Sequence, residues 1–113
     1  MAMISNLTID QGASFKAEID VKDADGDALD LTGFTGAGQM RKTYASSTAI
    51  NFTVEFKSPR TTGTLTISLT ATQTNAIKAG RYVYDVEITK TSDAEVTRVV
   101  EGQIDVTPGV TRA

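Results

Sequence analysis

Phe15-Lys16-Ala17-Glu18-Ile19-Asp20-Val21-Lys22 is the stretch that decides the fold class. Apolar Phe15, Ala17, Ile19 and Val21 alternate with charged Lys16, Glu18, Asp20 and Lys22, and a period of two sends the two sets to opposite faces of an extended strand. One face belongs to a core and the other to water. The pattern returns further along the chain. Ile50, Phe52, Val54 and Phe56 alternate with Asn51, Thr53 and Glu55, while Leu65, Ile67 and Leu69 alternate with Thr64, Thr66 and Ser68, so these two runs read as a hairpin pair. The connector 57–63 holds Pro59 and Gly63 among polar residues and suits a turn of several residues rather than a tight hairpin.

Tyr82, Tyr84, Val86 and Ile88 alternate with Val83, Asp85, Glu87 and Thr89, and a last strand runs from about Glu95 to Val106 with Val100, Ile104 and Val106 inward. Val96, Val99 and Val100 do not keep one parity and Gly102 interrupts the run, which predicts a bulge or bend there. Thr91-Ser92-Asp93-Ala94 links the two as a hairpin. Ile4, Leu7 and Ile9 mark a short opening strand, and a less apolar strand runs from Phe34 to Tyr44, where Gly36 and Gly38 signal close backbone approach. The segment 70–80 departs from the β pattern. Thr70 with Gln73 three residues on makes a capping box, and Gly80 fits the left-handed position that closes a helix, so one or two helical turns are expected. The β-branched threonines limit it to that length.

Roughly seven short strands separated by turn signals give an all-β fold, an antiparallel two-sheet sandwich of immunoglobulin-like size with one short helical crossover. A closed barrel is the rival architecture. The expected core, by parity, is Phe15, Ile19, Phe52, Val54, Leu65, Ile67, Tyr84, Val86, Ile88 and Ile104. With 113 residues, 40% hydrophobic, the chain reads as a single domain spanning 1–113.

Composition narrows the chemistry. There is no Cys and no His, which removes thiolate and imidazole catalysis, disulfides, and zinc sites built on those ligands. A net charge of −3 argues against attraction to phosphate backbones or anionic membranes, so neither nucleic acid nor membrane is an expected partner. No basic n-region with an apolar run opens the chain and no stretch approaches the ~18 apolar residues of a membrane span, which leads to the expectation of a soluble product made in a cytoplasm.

Asp23, Asp25 and Asp27 alternate as calcium-loop carboxylates do, but the sixth and twelfth places counted from Asp23 hold Ala28 and Phe34 instead of Gly and Glu. A turn is the better reading, with Asp side chains on nearby backbone N–H groups and Asp25-Gly26 at positive φ. Asp85 with Glu87, and Glu18 with Asp20, lie at i, i+2 on strand faces that read as solvated, where no burial or concave site favours acid–base chemistry. Arg41, Lys42 and Tyr44 form a small basic and aromatic cluster, weighed as a single-strand nucleic-acid patch and set aside because the aromatics belong to the core pattern. Gly33, Gly36 and Gly38 lack the strand-to-helix context and the Lys of a phosphate loop, and read as strand bends. Tyr82 and Tyr84 are expected to face the core, where a buried tyrosine sends its hydroxyl to a backbone partner near the sheet edge; the alternative is that one of them lines an interface with a neighbouring subunit. No catalytic, cofactor-binding or metal-ligating residue is assigned, no cofactor is expected, and the chain is not expected to be an enzyme.

The run Leu31-Thr32-Gly33-Phe34-Thr35-Gly36-Ala37-Gly38-Gln39-Met40-Arg41-Lys42, then Ala79-Gly80-Arg81-Tyr82-Val83-Tyr84-Asp85-Val86-Glu87-Ile88, and the closing Val99-Val100-Glu101-Gly102-Gln103-Ile104-Asp105-Val106-Thr107-Pro108 resemble small immunoglobulin-like virion proteins of tailed bacteriophages. Domains of baseplate, tail and neck components are of this kind, among them the N-terminal domain of baseplate upper proteins. The resemblance implies a non-catalytic structural role in a virion assembled in the host cytoplasm, through docking to other virion proteins or as a homo-oligomer. Sheet edges, end loops, the segment from Met1 to Asp10 and the tail from Pro108 to Ala113 are the expected docking elements. Capsid decoration, or a host-surface adhesin module that binds carbohydrate through an exposed aromatic platform, is the alternative.

Overall fold

The computed structural model describes residues 3–110. Its strands are β1 Met3–Ile4, β2 Leu7–Asp10, β3 Phe15–Asp20, β4 Phe34–Arg41, β5 Ile50–Asn51, β6 Thr53–Phe56, β7 Thr64–Leu69, β8 Gly80–Lys90 and β9 Val96–Thr107, with an α-helix, α1, at Ala71–Asn75 and a single 3-10 turn at Arg60–Thr62. They form a six-stranded sheet in the order β1-β9-β8-β4-β5, with β2 also on β9, and a three-stranded sheet in the order β3-β7-β6. The apolar parity of each strand turns inward, so Ile19, Leu65, Ile67 and Leu69 of the small sheet meet Tyr82, Tyr84, Val86, Ile88, Val100, Ile104 and Val106 of the large one. This is an all-β sandwich. Full burial of each such aliphatic side chain is worth about 1.5–3 kcal/mol, which is what drives the two faces together.

Sheet register explains where the expectation holds and where it changes. β3 pairs antiparallel with β7 from Phe15↔Leu69 to Asp20↔Thr64, and β6 pairs antiparallel with β7, as the hairpin reading requires. The run 50–56 is two strands rather than one. Ile50 and Asn51 pair with β4 in the large sheet, Phe52 donates its N–H to the Gly38 carbonyl at 2.9 Å, and from Thr53 onward the chain belongs to the small sheet. Phe52 turns its ring into the core at this crossing, tilted against Phe15 and edge-on to Tyr84, with both centroid distances 6.2 Å. Gly36 and Gly38 make the crossing possible, because a Cβ on Gly36 would sit 2.6 Å from the Val54 side chain and one on Gly38 3.2 Å from the Phe52 ring.

The opening strand also splits. β1 and β2 both lie parallel to β9, at Met3↔Val100 and Leu7↔Ile104, so the large sheet is mixed and not purely antiparallel. In β9 the register with β8 shifts between Val86 and Glu87, from Val86↔Val100 to Glu87↔Arg98, which leaves Val99 as the extra residue. The parity break of the valines marks the bulge, and Gly102 lies beyond it in regular pairing with Tyr84.

α1 carries the expected capping box, with the Thr70 side chain accepting from the Gln73 N–H and the Gln73 side chain accepting from the Thr70 N–H. Gly80 does not close it. The helix ends on Ala76 in ordinary helical conformation, and Gly80 opens β8 instead, where a Cβ would meet the Lys42 ammonium group at 2.6 Å. Buried Thr74 fixes the helix to the β2–β3 turn, donating to the Ala13 carbonyl at 2.8 Å and accepting from the Gly12 N–H at 3.1 Å. At the other end Arg60 donates to the carbonyl of Phe34 at 2.8 Å and stacks over the Phe56 ring at 4.4 Å. The core departs from the parity set in its membership. Phe15 and Val54 are only half-buried, whereas Leu31, Met40 and Ile77, which no strand pattern marks, are fully or almost fully enclosed.

Candidate functional site

Three surfaces follow from this architecture: the outer edge of β9, the outer edge of β3 and the outer face of the large sheet. At the β9 edge the residues between and just after β1 and β2 complete the pairing that these strands make with β9. Ser5 donates its N–H to the Glu101 carbonyl at 2.9 Å, the Asn6 side-chain carbonyl accepts from the Gln103 N–H at 3.0 Å, and Gln11 donates to the Thr107 carbonyl at 2.9 Å. The Ser5 carbonyl lies against the Cα of Gly102, in space that any Cβ would occupy. The Tyr84 hydroxyl reaches the same carbonyl from beneath and donates to it at 2.6 Å. Burial raises the Tyr84 phenol above its ordinary value of 10. The N-terminal segment expected to be lent to a neighbour is thus paired in its own chain from Met3 to Asp10, and residues 1–2 and 111–113 of the two expected arms lie outside the described residues.

The β3 edge is built differently. β3 is the terminal strand of the small sheet, and among the described residues no strand pairs with its outer side. Val21 continues the ladder by donating to the Gly63 carbonyl at 2.7 Å, so the odd-numbered amides of β3 point toward β7 and those of Lys16, Glu18 and Asp20 point outward. Those three side chains are exposed, while Phe15 and Ala17 on the core side are half-buried.

On the outer face of the large sheet a shallow basin of about 380 Å³ is lined by Gln39, Arg41, Tyr44, Asp85, Glu87, Arg98 and Glu101, together with small residues of β4. Arg98 ties Asp85 to Glu101 at 3.3 and 3.7 Å, and Arg41 donates to the Gln39 side-chain oxygen at 3.0 Å and to the Ser46 carbonyl. Tyr44 stands at the rim, 84% exposed. The carboxylates Asp85 and Glu87 therefore share this basin, and Glu18 and Asp20 lie apart from it on the small sheet. Arg41 and Tyr44 line the basin, while Lys42 points elsewhere, over the Tyr82 ring at 4.9 Å.

The aspartate loop is a turn. Asp23 Oδ1 accepts from the N–H groups of Asp25 and Asp27 at 2.9 and 3.0 Å, the Asp23 N–H donates to the Asp27 carbonyl at 2.8 Å, and Lys22 bridges to Ala28. Gly26 alone takes positive φ, at 86°, and Asp25 does not share it as expected. At its end Asp30 accepts from the Thr32 hydroxyl at 2.7 Å and from the Thr32 N–H, which hold its carboxyl below the usual 3.8. Among the described residues no group of three or more acidic side chains is gathered as metal ligands would be. Tyr82 and Tyr84 are buried with backbone partners, the Tyr82 hydroxyl donating to the Lys78 carbonyl at 2.8 Å. Sequence reasoning missed the Ser5–Gly102–Tyr84 junction. Its signal is a glycine in β9 opposite a tyrosine in β8, which the alternation alone reads as a bulge or bend.

No protein-family model matches the chain. No curated protein matches its sequence. Among solved structures it is similar to part of InlP of Listeria monocytogenes, with a TM-score of 0.51 and 14% identity over 94% of this chain. The chain spans 28% of the length of that protein. At this identity the likeness concerns the fold alone.

Proposed function

We propose that the chain is a non-catalytic structural component of a tailed-phage virion, in the tail, baseplate or neck, working by protein–protein docking. The observation that carries this reading is the open β3 edge: six residues without proline or bulge, with outward N–H and C=O groups that a neighbouring chain can complete. Strand order gives further support. β3-β7-β6 against β9-β8-β4-β5, with the first strand divided onto β9, corresponds to the two sheets of an immunoglobulin-like domain whose last strand carries the first. The motifs that resemble phage virion domains, 31–42, 79–88 and 99–108, fall on β4, β8 and β9, neighbouring strands of the large sheet, which supports the reading. Other virion proteins are then the partners, and the site of action is the particle assembled in the host cytoplasm. Mass spectrometry of purified particles, with cross-linking to locate neighbours, tests it. Reproducible recovery of the chain with the virion is the expected result, and its absence from virions made in cells that express it would overturn the reading.

A second reading has one observation in its favour. An adhesin module that binds carbohydrate needs an exposed aromatic beside polar groups, and Tyr44 stands so at the rim of the Gln39–Asp85–Arg98 basin. Glycan-array binding that is lost in Tyr44→Ala would favour it over the virion role.

A further inference from the structure

We infer that the outer edge of β3 is a self-association surface on which a second copy of this chain adds its own β3, antiparallel and centred on Ala17. The inference deepens the docking reading and rests on it in naming one partner for one edge.

Register and charge select this partner. A two-fold antiparallel pairing centred on a residue sets positions of equal parity opposite one another, so apolar meets apolar on the core side and charge meets charge on the outer side. Centring between residues would put the apolar face of one copy against the charged face of the other. Three centres keep parity near the middle of the strand. On Lys16, the two copies of that lysine oppose each other; on Glu18, the two glutamates do. On Ala17, Lys16 faces the partner's Glu18 and Glu18 faces the partner's Lys16, with no like-charged pair. The same register stacks Phe15 on the partner's Ile19 and extends the core over the half-buried side chains of Phe15 and Ala17.

The backbone agrees. The outward amides are those of Lys16 and Glu18, the residues that this register makes a hydrogen-bonded pair, so each exchanges both N–H···O bonds with its opposite. Glu18 has one competing partner in its own chain, the Lys57 ammonium group at 3.8 Å, and both of these side chains are more than half exposed, so the carboxylate is free to turn. Other outermost strands offer less: β1 and β5 are two residues long, and β2 and β6 four.

Sedimentation of the purified full chain over a concentration series tests the inference. A concentration-dependent species of twice the 12.0 kDa chain mass is expected. Lys16→Glu alone and Glu18→Lys alone each set like charges opposite across the edge twice per dimer, and each weakens self-association about tenfold or more. Mixing the two variants recreates both attractive pairs and restores association as a heterodimer. Thermal melts of the variants establish that each is folded. Because the chain has no cysteine, Ala17→Cys adds a register test independent of charge: residues facing each other in a non-hydrogen-bonded pair have Cα atoms about 4.5 Å apart and form a disulfide-linked dimer on mild oxidation. A wild-type chain that stays monomeric up to about 1 mM, a mixture no stronger than its components, or an Ala17→Cys variant that does not cross-link would each overturn the inference. These outcomes are separate from virion membership, which is read in purified particles.

Discussion

The outer edges of β9 and β3 pose the same physical problem and receive opposite treatment. Each strand has one side paired in its sheet and a second row of N–H and C=O groups to satisfy. β9 receives the chain's own N-terminus: β1 and β2 lie along it in parallel, Asn6 supplies a side-chain acceptor where the two meet, and Gly102 makes room for the Ser5 carbonyl that Tyr84 then holds. No strand among the described residues pairs with the outer side of β3, and its exposed side chains are a lysine followed by two acids, Lys16, Glu18 and Asp20. An edge sealed in the chain is specified by residues that fit only one neighbour, a glycine and two polar groups at fixed places. An edge left open is specified by a pattern that a second copy can match.

The comparison breaks most severely if the shared core fails. Val86 is fully buried opposite Val100 in β8, and Val86→Asp places an unpaired charge there. The expected loss is about 4 kcal/mol or more, enough to unfold a marginal domain, read as disappearance of the cooperative thermal transition. A variant with the wild-type melting temperature would contradict the inward parity of β8.

Gly102→Ala acts on the sealed edge alone. Its methyl would press on the Ser5 backbone, which must move, at a cost of about 1–3 kcal/mol. Denaturant unfolding reads the cost, and proteolysis should find β1 released while β3 behaves as in the wild type. Tyr84→Phe is milder, removing one donor from the Ser5 carbonyl for about 1 kcal/mol.

How far these elements were legible in the sequence follows from what alternation encodes. Period two names a strand and its inward face, so β3, β7, β8 and most of β9 were readable, as was α1 from Thr70 and Gln73. It does not say which neighbour a strand takes or in which direction. The parallel placement of β1 and β2 and the change of sheet at Phe52 were therefore hidden, because Ile50, Phe52, Val54 and Phe56 keep one parity across the crossing. Leu31, Met40 and Ile77 were missed as core because each is a lone apolar residue in a loop or a glycine-rich strand, and burial there is decided by what packs above it. The β3 edge was visible as a pattern but not as an edge, since only the sheet order leaves it outermost. Gly80 illustrates a local rule overridden: its fit as a helix cap is real chemistry, yet the chain uses its freedom to open β8 at a φ of 145°.

The smallest effect separates the edges by pH. Burial raises the Tyr84 phenol, so the unfolded chain loses that proton at lower pH than the folded one. The contribution is fully present below about pH 10 and is lost as pH rises through the higher folded value, when the phenolate can no longer donate to Ser5. Wild type should thus lose stability above pH 10 more steeply than Tyr84→Phe, as urea titrations at pH 9 to 11 would register.

Residue-by-residue amide hydrogen exchange, at a dilution where any dimer has dissociated, tests the contrast between the two edges most directly. Residues 101–106 of β9, bonded on both sides, should be uniformly slow, including Gln103 through Asn6. In β3 the rates should alternate, with Ala17 and Ile19 slow and Lys16, Glu18 and Asp20 fast. Alternation in β9, or uniform protection along β3 at that dilution, would contradict the account.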